Sequence, residues 1–194
     1  MSIKTWYKER KFYFIFSVSL LAIAIYLFLD SSFLVRSFAT VIFLAIFYIG
    51  DRMYSIQFKD KHYLFFIVLI VMGVLASPLY FLYPQYDKVQ HFVMPILMSS
   101  MAYYMVNKLP LEKKWKIWYT FYIVVALIGI FELAEYSIDR IFDFKLQGVY
   151  LRDISGLSKL NTIQGPLDDT MMDMFLGTLG ASIYGIYKNA RKER

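Results

Sequence analysis

Acidic residues and one histidine are grouped in three separate stretches of this sequence, at spacings that could support chemistry. The groups are Asp87 and His91, then Glu132, Glu135 and Asp139, and then Asp168, Asp169 and Asp173. Side chains three, four or seven residues apart share one face of a helix, so each group forms a polar stripe if its stretch is helical. Carboxylate oxygens with one imidazole nitrogen suit Mg²⁺, Mn²⁺, Ca²⁺, Fe²⁺ or Zn²⁺. The spacing therefore predicts a divalent metal site without identifying the metal.

Several of these acids also have a structural explanation. Asp87 and Asp168 stand at predicted helix starts, where a carboxylate accepts hydrogen bonds from free N–H groups and suits the helix dipole. Glu132 and Asp173 are harder to explain, because apolar residues surround both and a charge inside a membrane is costly. They must be protonated, paired or bound to a metal. A bound metal, a proton relay and a structural polar network all stay open at this point.

The composition places the chain among membrane proteins. Of its 194 residues, 59% are hydrophobic and 20% are aromatic, which is too apolar for a soluble domain of this length. The absence of cysteine excludes disulfides, thiolate metal ligands and iron–sulfur clusters. The formal net charge is +6, but the basic residues are concentrated beside the ends of the apolar runs. That distribution follows the positive-inside rule and argues against a nucleic-acid partner.

Six apolar runs predict an all-α fold, a polytopic six-helix transmembrane bundle that forms one domain over residues 1–194. Each run is close to the roughly 20 residues that span a bilayer. The runs are residues 12–29, 33–50, 63–83, 89–107, 115–138 and 170–187. We expect the first run to be a retained helix, because no small-residue cleavage motif follows it. An even number of crossings with basic inner loops predicts a multi-pass protein of the plasma (inner) membrane with both termini in the cytoplasm.

The predicted topology brings the three polar stripes to one side of the membrane. Helices 89–107 and 170–187 run inward from their acidic starts, and helix 115–138 runs outward to its acidic end. At about 1.5 Å per residue, the stripes meet in the extracytoplasmic layer. The connection over residues 139–169 is long for a structureless loop, and its apolar residues indicate a short interfacial helix or a lid on the outer face.

Three stretches of the sequence carry distinctive motifs: 86–92 (YDKVQHF), 131–136 (FELAEY) and 160–174 (LNTIQGPLDDTMMDM). They resemble the motifs YDxxxHF, YELIEW and LGTQGDxWDTQxDM of the YjdF-type family of uncharacterised inner-membrane proteins of bacteria and archaea. Their order and spacing agree over residues 84–186. Pro166 stands where that family often has an aspartate, so either Asp168 or Asp169 replaces that acid or one ligand is missing here.

The resemblance carries over positions but no activity, because the family has no settled function. The positions that it marks as typically polar are Asp87, His91, Glu132, Glu135, Asp169 and Asp173. A shorter likeness, an acid–Lys–x–x–His start of a membrane helix, is shared with VanZ-like proteins.

The leading functional hypothesis is a metal-dependent hydrolase or transferase that acts on a lipid or a lipid-linked ester. The metal ligands in this hypothesis are His91, Glu132, Asp169 and Asp173. Glu135 or Asp87 is then the general base that takes a proton from a metal-bound water, and membrane lipids are the expected partners. Intramembrane acids also mark ion and proton paths, so an ion- or proton-coupled transporter is the alternative, and a non-catalytic membrane scaffold is a third candidate. The sequence predicts neither the substrate nor the oligomeric state.

Overall fold

The protein is mostly helical in a computed structural model, which describes residues 19, 34–76, 79, 83–142, 146–152 and 159–191. The chain divides into two compact units, Met1–Ser77 and Pro78–Arg194. Apart from residue 19, the apolar run predicted at residues 12–29 lies outside the described residues. The candidate site residues all belong to the second unit, so that unit positions the chemistry.

The first unit contains helix α1 (Leu34–Met53) and helix α2 (Asp60–Ile70), which continues into a π-helical turn (Val71–Leu75). These elements correspond to the predicted runs at 33–50 and 63–83, although the regular α-helix ends well before residue 83. Asp51 joins the two helices, because its carboxylate accepts hydrogen bonds from the N–H of Phe58 and the hydroxyl of Tyr63.

The second unit contains three long helices: α3 (Tyr86–Val106), α4 (Lys113–Phe142) and α5 (Pro166–Ala190). Each overlaps a predicted run and extends beyond it by up to four residues at one or both ends. Local sequence explains the starts. Pro166 occupies the first turn of α5, where its missing N–H costs nothing, and acids in the first turns of α3 and α5 suit the helix dipoles.

Helix α5 packs closely against both other helices through glycines. A Cβ atom at Gly177 would lie 2.6 Å from Cδ1 of Ile128 in α4, and one at Gly180 would collide with the carbonyl oxygen of Phe92 in α3. Close backbone approach through small residues is typical of helix packing in membranes. The glycines therefore bring the acidic starts of α3 and α5 side by side, next to the later part of α4.

A β-hairpin lies in the connection between α4 and α5, where the sequence predicted a loop or a short interfacial helix. Strand β1 (Val149–Arg152) pairs antiparallel with strand β2 (Lys159–Gln164). The prediction of a short helix in this connection is therefore wrong for the residues that the structure describes. The β-branched and aromatic residues of this stretch favour extended backbone, whereas the apolar content alone suggested an interfacial helix.

Within the described ranges, α4 is the one helix that is long and apolar enough to cross a membrane, with a mean hydropathy of 2.0 in its most apolar window. Only 22% of that window is buried inside the protein. Large apolar side chains such as Ile130, Phe131 and Leu133 are exposed along it, as expected for a surface that faces lipid. The six-helix bundle stays a prediction.

Candidate metal centre

The acidic starts of α3 and α5 meet the C-terminal half of α4 around His91. Its Nε2 lies 3.6 Å from Oδ1 of Asp87 and 3.8 Å from Oδ2 of Asp173. Its Nδ1 lies 3.9 Å from Oε1 of Glu132. Residues from three helices, far apart in the sequence, are thus brought together where the spacing of the polar stripes predicted.

Lys88 lies on the other side of the same carboxylates. Its Nζ donates to Oδ2 of Asp87 at 3.0 Å, to Oδ1 of Asp169 at 2.5 Å and to Oδ1 of Asp173 at 2.8 Å. Burial, the largest influence, favours the neutral amine, but the hydrogen bonds to Asp169, Asp173 and Asp87 outweigh it and raise the pKa of Lys88 above its ordinary value. The three carboxylates therefore favour the charged form of this amine.

From the sequence, Lys88 was expected only as a counter-charge, too few together with Arg140 and His91 to balance the acids, and not as a site residue. A lysine beside an acid at a helix start usually reads as a solvated surface charge. The excess of acids over bases in these three stretches could have predicted the position of Lys88, because buried carboxylates are stabilised by a neighbouring cation such as a lysine.

Asp87 and Asp173 each use one oxygen for Lys88 and turn the other oxygen toward His91. One ligand atom from each of Asp87, His91 and Asp173 lies within 4.8 Å of the other two, an arrangement that could hold a metal ion. Ligand atoms around a tetrahedral metal with bonds of about 2.1 Å are about 3.4 Å apart. The two distances from Nε2 of His91, 3.6 and 3.8 Å, exceed that value by only a few tenths of an ångström.

Glu132 stands behind the imidazole of His91. The residue is 4% exposed, and among the described residues its Oε1 is a buried oxygen with no hydrogen-bond partner. Histidines that bind a metal through one ring nitrogen commonly donate from the other to a carboxylate, which fixes the orientation of the ring. The position of Glu132 beside Nδ1 leaves Nε2 facing Asp87 and Asp173.

Asp169 links the site by hydrogen bonds to the segment between α4 and α5 that contains the hairpin. One carboxylate oxygen accepts from Lys88, and the other accepts from the buried N–H of Gly148 at 2.7 Å. Gly148 has a φ of +91°, and an added Cβ would lie 3.1 Å from atoms of Gln164 and Tyr150, so this turn requires glycine. Both oxygens of Asp169 are therefore in use, and its role as a metal ligand stays a prediction.

The remaining acids divide between structural and open roles. Asp139 accepts from the N–H groups of Leu146 and Gln147, at 2.6 and 2.8 Å, and thereby holds the chain where it leaves α4. Asp168 is exposed in the first turn of α5, as expected of a cap. Glu135 is half-buried one turn beyond Glu132 and is not part of the Asp87–His91–Asp173 group.

Comparison with known proteins identifies a family but no activity. The model of the family described as "Predicted membrane protein (DUF2238)" matches residues 10–194. This match confirms the YjdF-type resemblance, whereas the likeness to VanZ-like proteins stays a sequence observation. No curated protein and no solved structure matches the chain significantly. Because the match covers almost the whole sequence, the chain belongs to the DUF2238 family of predicted membrane proteins.

Proposed function

We propose that this membrane protein binds one divalent cation between Asp87, His91 and Asp173, and that it uses the cation to hydrolyse or transfer a lipid or lipid-linked ester. The observation that supports the proposal best is the buried Oε1 of Glu132, which has no hydrogen-bond partner in the part of the chain that the structure describes and lies 3.9 Å from Nδ1 of a histidine whose other nitrogen faces two carboxylates. A metal at Nε2 would put the proton of His91 on Nδ1, where it can bond to Glu132.

The charge balance of the centre supports a divalent ion. The carboxylates in contact with Lys88 or His91 are Asp87, Glu132, Asp169 and Asp173. If all four are ionised and His91 is neutral, as a metal-bound imidazole is, they exceed the ammonium of Lys88 by three negative charges. Uncompensated charge in a membrane or protein interior is costly, and a divalent cation would remove most of this excess.

The ligand number supports catalysis more than a purely structural metal. Three protein ligands leave a coordination position for water or substrate, whereas structural metal sites are usually closed. A metal at this position would lower the pKa of a bound water and polarise an ester oxygen. In this proposal Asp87 is a ligand, Glu132 orients His91, Asp169 anchors the hairpin connection, and Glu135 is the candidate general base.

The surface around the centre supports a lipid substrate. Phe131 and Leu133 flank Glu132 in α4 and are 54% and 66% exposed, and Leu167 and Met171 at the start of α5 are 70% and 57% exposed. An apolar surface next to a buried polar centre suits a molecule whose acyl chains stay in the membrane while its ester reaches the acids.

Metal binding is tested by equilibrium dialysis of purified, chelator-treated protein against Mn²⁺ and Zn²⁺. We expect one ion per wild-type chain, no measurable binding to Asp173→Asn, and an affinity about 10–100-fold lower for Glu132→Gln, which removes a support of the histidine ligand. Asp168→Asn is the matched control, because it removes an exposed acid from the same helix and should bind as wild type does. Wild-type binding no stronger than that of Asp173→Asn would refute the proposed site.

Catalysis is tested separately, by mass spectrometry of membrane lipids incubated with the metal-loaded protein. We expect ester products with wild type and with Asp168→Asn, and none with His91→Gln. Metal-driven or proton-driven uptake into proteoliposomes without lipid turnover would favour the transporter instead. Bound metal with neither turnover nor uptake would favour the scaffold.

A further inference from the structure

Lys88 occupies a position among the acids that has the form of a cation site. Oxygens of Asp87, Asp169 and Asp173 surround its Nζ at 3.0, 2.5 and 2.8 Å. Oxygen ligands of Ca²⁺ lie at about 2.3–2.6 Å, only slightly closer. Three carboxylates around one point are also more than a single ammonium needs for charge balance. The position of Nζ is therefore a place where a divalent ion would fit if the lysine were absent.

This position is next to the proposed metal position and shares two ligands with it. Asp87 and Asp173 each direct one oxygen to Lys88 and the other to Nε2 of His91. Carboxylates that bridge two positive centres in this way are typical of two-metal sites, in which the ions lie about 3.5–4 Å apart. Here one of the two positive centres is a side chain of the protein itself.

We propose that the centre holds a single divalent cation because the ammonium of Lys88 takes the place of a second one. The inference rests on the proposed cation site at His91. Lys88 holds the bridging carboxylates of Asp87 and Asp173 in position before the metal arrives, and it supplies one positive charge where a second metal would supply two. Lys88 is thus a positioning residue that also fixes how many metal ions the centre accepts.

The experiment counts bound Mn²⁺ by electron paramagnetic resonance in purified protein at saturating metal. Wild type is expected to bind one ion and to give the spectrum of an isolated Mn²⁺. Lys88→Ala removes the ammonium and opens its space, so it is expected to bind two ions with a spin-coupled spectrum. Lys88→Arg keeps a cation at the position and is the matched control, expected to bind one ion.

The outcomes separate this inference from the proposed function. A single ion in Lys88→Ala, or two ions in wild type or in Lys88→Arg, would overturn the role given to Lys88. If Lys88→Ala does not fold, Lys88→Ser, which also removes the ammonium and opens its space, is counted in its place and is likewise expected to bind two ions. No ion in either wild type or Lys88→Ala would refute the site at His91 and the inference with it, whereas one ion in both would overturn only the role of Lys88.

Discussion

The second unit, which contains α3, α4 and α5, uses lysine differently at its two ends. At one end Lys113 and Lys116, at the start of α4, donate to main-chain carbonyl groups at the ends of α5 and α3, at 2.8–3.0 Å. At the other end Lys88 donates to three aspartates, two of which are almost fully buried. Both ends join helices through ammonium groups, but only one of them does so with charged and buried acceptors.

This difference separates a structural use of charge from a functional one. Carbonyl groups at helix C-termini are neutral acceptors that need a donor and favour a cation. The hydrogen bonds from Lys113 and Lys116 therefore meet the needs of the carbonyl groups at their end. The acidic end brings four carboxyl groups to one lysine and one histidine, and among the described residues its buried Glu132 Oε1 has no hydrogen bond. A cluster with more carboxyl groups than basic partners, and with an unbonded buried oxygen, is where a positively charged ligand is expected.

The largest expected change in the free energy of unfolding comes from removing Lys88, and removing Lys113 at the other end is the comparison. Lys88→Met leaves three aspartates without their cation, and breaking a buried ion pair costs about 3–5 kcal/mol in free energy of unfolding. Lys113→Met removes a donor from helix-end carbonyls and should cost about 0.3–1 kcal/mol. Chemical denaturation in detergent measures both. Equal losses for the two variants would remove the distinction between the two ends.

The next effect concerns the glycine that holds α5 against α3 beside His91. Gly180→Ala places a methyl group against the Phe92 carbonyl, which neither main chain can relieve without moving, and overpacking of this kind costs about 1–3 kcal/mol. The shift should also weaken Mn²⁺ binding. Gly129→Ala in α4 is the control, because nothing lies within 4 Å of the added atom. It should be neutral or stabilise by up to about 1 kcal/mol.

The third effect, of similar size, is read at the hairpin connection. Asp169→Asn removes the charge that pairs with Lys88 and weakens the acceptor of the Gly148 N–H, and loss of such a hydrogen bond costs about 1–3 kcal/mol. Hydrogen–deuterium exchange over residues 146–152 should become faster in this variant. The exposed Asp168→Asn should leave it unchanged. Unchanged exchange in Asp169→Asn would mean that the acidic end does not anchor the connection.

Helical spacing was enough to predict that the three helices bring acids together, but not which of these acids meet or which atoms they contact. The i, i+4 pairs on α3 and α5 predicted that His91 and Asp173 face the same centre, and the structure places them 3.8 Å apart. The hydrogen-bond partners of Lys88 and Asp169 come largely from other helices and from the hairpin connection. The two-oxygen use of Asp169 follows from where the hairpin brings Gly148, which no pattern within α5 could show.

The fold shows the same limit. Hydrophobic runs predicted the three helices of the second unit, because each run is long and its ends carry charged or turn-forming residues. Alternation over four to six residues is too short to distinguish a strand from an interfacial helix, so the hairpin was missed. The predicted run at 63–83 passes through the π-helical turn at Val71–Leu75, which hydropathy does not reveal.

The central claim is that a divalent cation binds to Nε2 of His91 between Asp87 and Asp173. Pulsed electron paramagnetic resonance of the Mn²⁺-loaded protein tests it most directly, because an imidazole ligand couples its nitrogen to the metal. The account predicts coupling to one histidine nitrogen that persists in His62→Gln, in the other unit of the chain, and disappears in His91→Gln. Coupling that survives in His91→Gln, or no nitrogen coupling in wild type, would contradict it.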